Sequence, residues 1–95
     1  MDIYIGNLSF DATEDDLQHT FAPFGRVRSV SIVRDRFNGG PLGFAFVDMP
    51  DDDEAQNAIA ALHRSRINGR VVIVSRTQRR AERRNTVDAD AQALV

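Results

Sequence analysis

Cysteine is absent from the 95-residue chain, so neither a disulfide framework nor a thiolate metal site is available, and the fold must stand on packing alone. Lysine is absent too. The positive charge rests on twelve arginines, whose planar guanidinium pairs with phosphate in bidentate fashion or lies flat on a base. No apolar run approaches membrane-spanning length, and no basic segment precedes one between Met1 and Gly6, so the expectation is a cytoplasmic protein with no signal peptide and no membrane contact. A net positive charge is also missing. The formal charge is −2, which argues against a surface that holds polyanions by charge alone. The length allows one domain with one modest core.

What is present is unevenly placed. Eight of the fourteen acids fall in two groups, Asp11, Glu14, Asp15, Asp16 and Asp51, Asp52, Asp53, Glu54, and both groups read as helix starts, where the dipole favours negative charge. That reading also accounts for the second group without a metal ion. The arginines fall elsewhere, with Arg76, Arg79, Arg80, Arg83 and Arg84 gathered late in the chain. His19 and His63 have no cysteine or nucleophile beside them in sequence and are expected at solvated helix positions; no cofactor is expected.

Asp2 to Gly6 alternates, Ile3 and Ile5 on one face and Tyr4 on the other, the period of a half-buried strand. Thr13 precedes three acids and the helically spaced Leu17, Phe21 and Phe24, which makes it the expected N-cap; Pro23 and Gly25 end that helix. Val27 to Arg34 is β-branched and predicts a second strand, joined through the turn-forming Asn38-Gly39-Gly40-Pro41 to a third over Leu42 to Met49. Asp51 with Glu54 approximates a capping box before the stripe Ala55, Ala58, Ile59, Leu62. Asn68-Gly69 turns the chain into a last strand over Val71 to Arg76. The order strand, helix, strand, strand, helix, strand predicts an α+β, ferredoxin-like sandwich: a four-stranded antiparallel sheet with two helices on one face. By alternation the other face carries Tyr4, Ser31, Val33, Leu42, Phe44, Phe46, Asp48, Ile73 and Ser75. Inward-facing Val47 and Met49 already supply the core side of strand three, so Phe44 and Phe46 fall outside.

Two segments carry a resemblance. Leu42-Gly43-Phe44-Ala45-Phe46-Val47-Asp48-Met49 resembles the eight-residue ribonucleoprotein motif, and Ile3-Tyr4-Ile5-Gly6-Asn7-Leu8 resembles its six-residue companion. Together, in this order, they are similar to the RNA-recognition-motif family, in particular its small stand-alone bacterial members, over about residues 1–77; residues 78–95 are expected to be a basic, then mildly acidic tail. The resemblance implies binding of single-stranded RNA, with bases stacked on Tyr4 and Phe44 and a sugar or neighbouring base against Phe46. Asn7, Arg34, Phe37, Arg76 and Gln78 complete the expected RNA-binding set. A post-transcriptional regulator or RNA chaperone, monomeric and without enzymatic activity, is the role implied. The chain departs from the family at Leu42, where a basic residue is usual, and at Met49, in place of an aromatic.

Three other readings compete. An acylphosphatase-like hydrolase shares the element order, but Asn7-Leu8-Ser9-Phe10-Asp11 offers no basic residue to cradle a phosphate and one acid to repel it. A protein-interaction module would use the acidic helix, drawing a basic peptide to Glu14, Asp15 and Asp16. Single-stranded DNA would stack as RNA does, since only the 2′-hydroxyl separates the two.

Overall fold

A computed structural model describes residues 1–77. The expectations placed on 78–95, Gln78 and the arginines of the tail among them, lie outside the described residues. Strands β1 (Asp2–Gly6), β2 (Ser29–Arg34), β3 (Pro41–Asp48) and β6 (Ile73–Thr77) form one antiparallel sheet in the order β2-β3-β1-β6. Helices α1 (Glu14–Phe21) and α2 (Asp52–Leu62) lie on one side of it, α1 over β2 and α2 over β6. The short strands β4 (Arg66–Ile67) and β5 (Arg70–Val71) pair as a separate hairpin.

Alternation along the central strands builds the core. Ile3 and Ile5 of β1, Ala45 and Val47 of β3, Ile32 of β2 and Val74 of β6 all bury their side chains against Leu17 and Phe21 of α1 and Ala55 and Ala58 of α2. Met49 is fully buried in the same cluster and fills space there, as a flexible thioether does. Small residues on α2 let that helix approach the sheet closely. Ile59, Leu62 and Phe24 pack at the margins.

The helix starts bear out the acidic clusters. Thr13 caps α1: its hydroxyl accepts from the Asp16 N–H (3.1 Å) while the Asp16 carboxylate accepts from the Thr13 N–H (2.9 Å), a complete capping box. At α2 only half of the expected box forms. Asp51 accepts from the Glu54 N–H (3.0 Å), but the Glu54 carboxylate accepts from the Arg26 N–H (3.1 Å) instead of reaching back. Gly25, at φ 150°, makes that approach possible, because a Cβ there would overlap the Glu54 side chain.

The end of the domain departs from expectation. One strand over Val71 to Arg76 is replaced by the β4–β5 hairpin and then β6, with Asn68 (φ 50°) and Gly69 (φ 84°) as a two-residue turn of the type that matches strand twist. The break serves the edge of the sheet. His63 is exposed yet not simply solvated: its Nδ1 accepts from the Val74 N–H (3.2 Å), and Arg64 N–H donates to the Val72 carbonyl (2.8 Å), so the segment after α2 covers the outer edge of β6.

Candidate nucleic-acid interface

The sheet face away from the helices is organised in cross-strand rows. Ser31, Phe46, Tyr4 and Ser75 lie side by side across β2, β3, β1 and β6, and Ser29, Asp48, Asp2 and Thr77 form the next row. Phe44 stands on the other side of the aromatic row. The rings of Tyr4, Phe44 and Phe46 make a triangle with centroid separations of 6.1 Å (Tyr4–Phe44), 5.8 Å (Tyr4–Phe46) and 6.1 Å (Phe44–Phe46), the last pair edge to face. These are favourable aromatic distances, so the cluster is held by its own contacts.

The three rings are not equally open. Tyr4 and Phe44 are half-buried, but Phe46, expected on an open face, is only 8% exposed although it stands outside the core cluster. Its position between Tyr4 and Ser31, with Phe44 beside it, explains the difference. Tyr4 lies back along its own strand, and the space beside Gly6 is what allows it: a Cβ on Gly6 would come 2.5 Å from the Tyr4 hydroxyl and 2.8–2.9 Å from its ring.

The register of β2 against β3 shifts beside the aromatic cluster. Between the pairs Ile32–Ala45 and Arg34–Pro41, Val33 alone on β2 faces Leu42, Gly43 and Phe44 on β3. Gly43 takes φ 90° there, a conformation costly for any other residue, and does not simply face the helices as strict alternation predicts.

Other members of the expected set have structural partners. Asn7, at φ 57°, is a latch: its Nδ2 donates to the Val71 carbonyl (2.7 Å), while Arg70 donates to its Oδ1 (2.5 Å) and to its carbonyl (3.3 Å). Arg34 makes a forked contact with Glu14 at 3.0 and 3.2 Å, which turns it toward α1 and away from the rings. The Glu14 carboxyl is held below its ordinary range, first by a backbone hydrogen bond and then by this guanidinium. Asp16 is lowered in the same sense, first by the Thr13 N–H and then by Asn68, whose Nδ2 donates to it at 3.0 Å. Arg76 pairs with inward-facing Ile3 and therefore lies on the helix side of β6, beside Gln56, Ile59 and Ala60 of α2 in a shallow depression. It is not beside the aromatic rings, because one step along a strand changes the face. Phe37 stands at the tip of the β2–β3 loop, 91% exposed, with the Arg36 guanidinium 6.0 Å from its ring. It does not fold back on the hairpin. The loop beneath it is well ordered by hydrogen bonds, Asp35 accepting from the N–H groups of Phe37 (2.7 Å) and Asn38 (3.1 Å).

Two neighbours of the face, Asp2 and Phe10, escaped sequence reasoning. Asp2 and Asp48 are cross-strand partners, both buried, with Asp48 bonded to Arg28 at 2.8 Å and 3.7 Å from the Met1 ammonium. That end of the face is therefore polar. Phe10, in the loop after β1, is 70% exposed. The only hint of it in sequence is an aromatic inside a polar turn.

Comparison with known proteins agrees with the architecture. The family model for the RNA recognition motif matches residues 3–73. RbpD of Nostoc sp. is 42% identical over 84 residues, which cover 88% of this chain and 89% of that protein. Glycine-rich RNA-binding protein 1 of Mycosarcoma maydis is 38% identical over 77% of this chain and 42% of its own length. Among solved structures, the RNA-binding protein PG1 superposes with a TM-score of 0.80 at 37% identity, covering 82% of this chain and 94% of its own. A Sex-lethal protein–RNA complex superposes with 0.73 at 34%, covering 78% and 46%. With paired motifs on neighbouring central strands, an antiparallel four-stranded sheet and a family match across most of its length, this chain belongs to the RNA recognition motif family.

Proposed function

We propose that the protein binds single-stranded RNA on the outer face of its sheet, with bases stacked on Tyr4 and Phe44 and Phe46 as the wall between them. The observation that carries this reading is the ring triangle on the sheet face opposite the helices, two of its members half-open to solvent in a family whose named relatives bind RNA. Stacking accepts any base, and two or three nucleotides fit such a platform. Phe37, held out at the loop tip and carrying Arg36, offers a further contact at the same end. Arg34 and Arg76 are weaker candidates than their charge suggests, the first paired with Glu14 and the second on the opposite face. A regulatory or chaperone role in RNA metabolism fits this binding mode.

The test is an NMR titration of the labelled protein with short random RNA oligomers, repeated with Phe44→Ala. Shifts centred on Tyr4, Phe44 and Phe46, with affinity lowered roughly 5- to 150-fold in the folded variant, are expected from the worth of one stacked base. A folded wild type without shifts would end this reading. Matched DNA oligomers run alongside measure what the 2′-hydroxyl contributes.

A further inference from the structure

Phe10 is a large apolar side chain left 70% exposed by a loop that is otherwise firmly anchored. Leu8 and Ala12 on either side are buried at 3% and 5%. The Ala12 N–H donates to the Ser9 carbonyl (3.1 Å), closing the turn, and the Ser9 hydroxyl donates to the Asp11 carboxylate. The Leu8 N–H donates to the Gly43 carbonyl (2.8 Å), tying the loop to β3. Phe10 is thus presented outward by fixed backbone, at little cost in ordering when a ligand arrives.

Its neighbours say which ligand. The ring edge rests against Gly43, where an added Cβ would lie 3.3 Å from Cε1, and Gly43 is the residue before Phe44. Leu42, on the other side of Gly43, is 48% exposed. The apolar surface therefore continues from the proposed platform through Gly43 to Phe10. An exposed aromatic ring with the Asp11 carboxylate one residue on suits another base far better than a phosphate, which the carboxylate repels.

We propose that Phe10, resting against Gly43 next to Phe44, holds the base of one more nucleotide of the same RNA strand, beyond those on Tyr4 and Phe44. The inference rests on the platform reading. It makes Phe10 a determinant of footprint: its contribution appears only when the oligomer is long enough to pass Phe44.

The test compares RNA oligomers of about three and about six nucleotides, lengths chosen because the central platform takes two or three. Phe10→Ala is expected to weaken the longer oligomer roughly 5- to 150-fold, the worth of one stacked base, and to leave the shorter one unchanged. The sequence has no tryptophan, so F10W gives a single indole at the site. Its fluorescence is expected to be quenched by the longer oligomer and not by the shorter. F10W also decides the matter if Phe10→Ala does not fold. If Phe10→Ala binds both lengths like wild type, or the F10W indole is silent while RNA binds, the extra site is wrong and the central platform stands. If wild type binds neither length, both proposals fall together.

Discussion

Tyr4 lies over Gly6 because that position carries no side chain, and the orientation of the Tyr4 ring therefore depends on a glycine two residues away. Gly6→Ala keeps an extended backbone but places a methyl inside the ring's volume. The expected outcome is a folded protein with Tyr4 displaced, seen as changed ring-current shifts at Ser75 and Phe46, and RNA affinity lowered about as much as by loss of one stacked base. Unaltered shifts would mean the ring has another resting place. The identities of Tyr4, Phe44 and Phe46 were readable from sequence because period-two alternation assigns them to one face. The closure of Phe46 was not, because exposure depends on which rings stand beside it across three strands. Arg76 shows the same rule working against a guess by proximity: alternation had placed Ser75 outside, and its neighbour had to point the other way.

Among the elements, the β4–β5 hairpin is anchored in the core by Ile67 and held to the end of β1 by Asn7. Asn7→Gly preserves the positive φ and removes the amide, so backbone strain does not confuse the result. A loss of about 1–2 kcal/mol in chemical denaturation is expected from hydrogen bonds of this kind, with faster amide exchange in the hairpin and an intact main sheet. No change in stability would reduce Asn7 to a turn residue. The motif match pointed to Asn7 as a binding residue, yet a side chain has few lone pairs and donors, and those of Asn7 are engaged by Val71 and Arg70. The hairpin itself was hidden because two-residue strands carry no period. His63 is a similar case: its acceptor role on the edge of β6 follows from where α2 ends, which no local pattern specifies.

The whole molecule couples its acidic helix to the sheet and hairpin. Glu14 and Asp16 have carboxyls lowered by hydrogen bonds made only in the folded state. A lowered folded value means that the unfolded chain binds protons first as pH falls, so this contribution is full above the ordinary carboxylate range and is lost as pH drops through the lowered values. Thermal midpoints should hold from neutral pH down to about pH 5 and fall below about pH 4. Glu14→Gln is expected to flatten that fall, and an equally steep acid limb would assign it to other carboxylates. The same charge layout bears on RNA. With Arg34 committed to Glu14, Arg28 to Asp48 and Arg70 to Asn7, and Arg76 on the helix side of the sheet, few phosphate contacts from the described residues are expected beside the aromatic cluster. For single strands each contact adds roughly 0.7 to the slope of log affinity against log salt, so a slope of magnitude below about 2 is expected. A markedly steeper one would bring in the arginines beyond residue 77.

Sequence alone determined the element order as far as α2, the inward and outward sets of β1 and of β3 from Phe44 on, the Thr13 cap and the membership of the aromatic row. Each of these is set by neighbours within a few residues, through strand period, helix spacing and capping chemistry. Tertiary structure decided how open each ring is, that Arg34 and Asn7 serve the fold, that two carboxylates share one end of the face, and that Phe10 rests against Gly43. Those outcomes depend on which side chains meet across strands and loops far apart in the chain, and on the register shift at Gly43, where strict alternation stops.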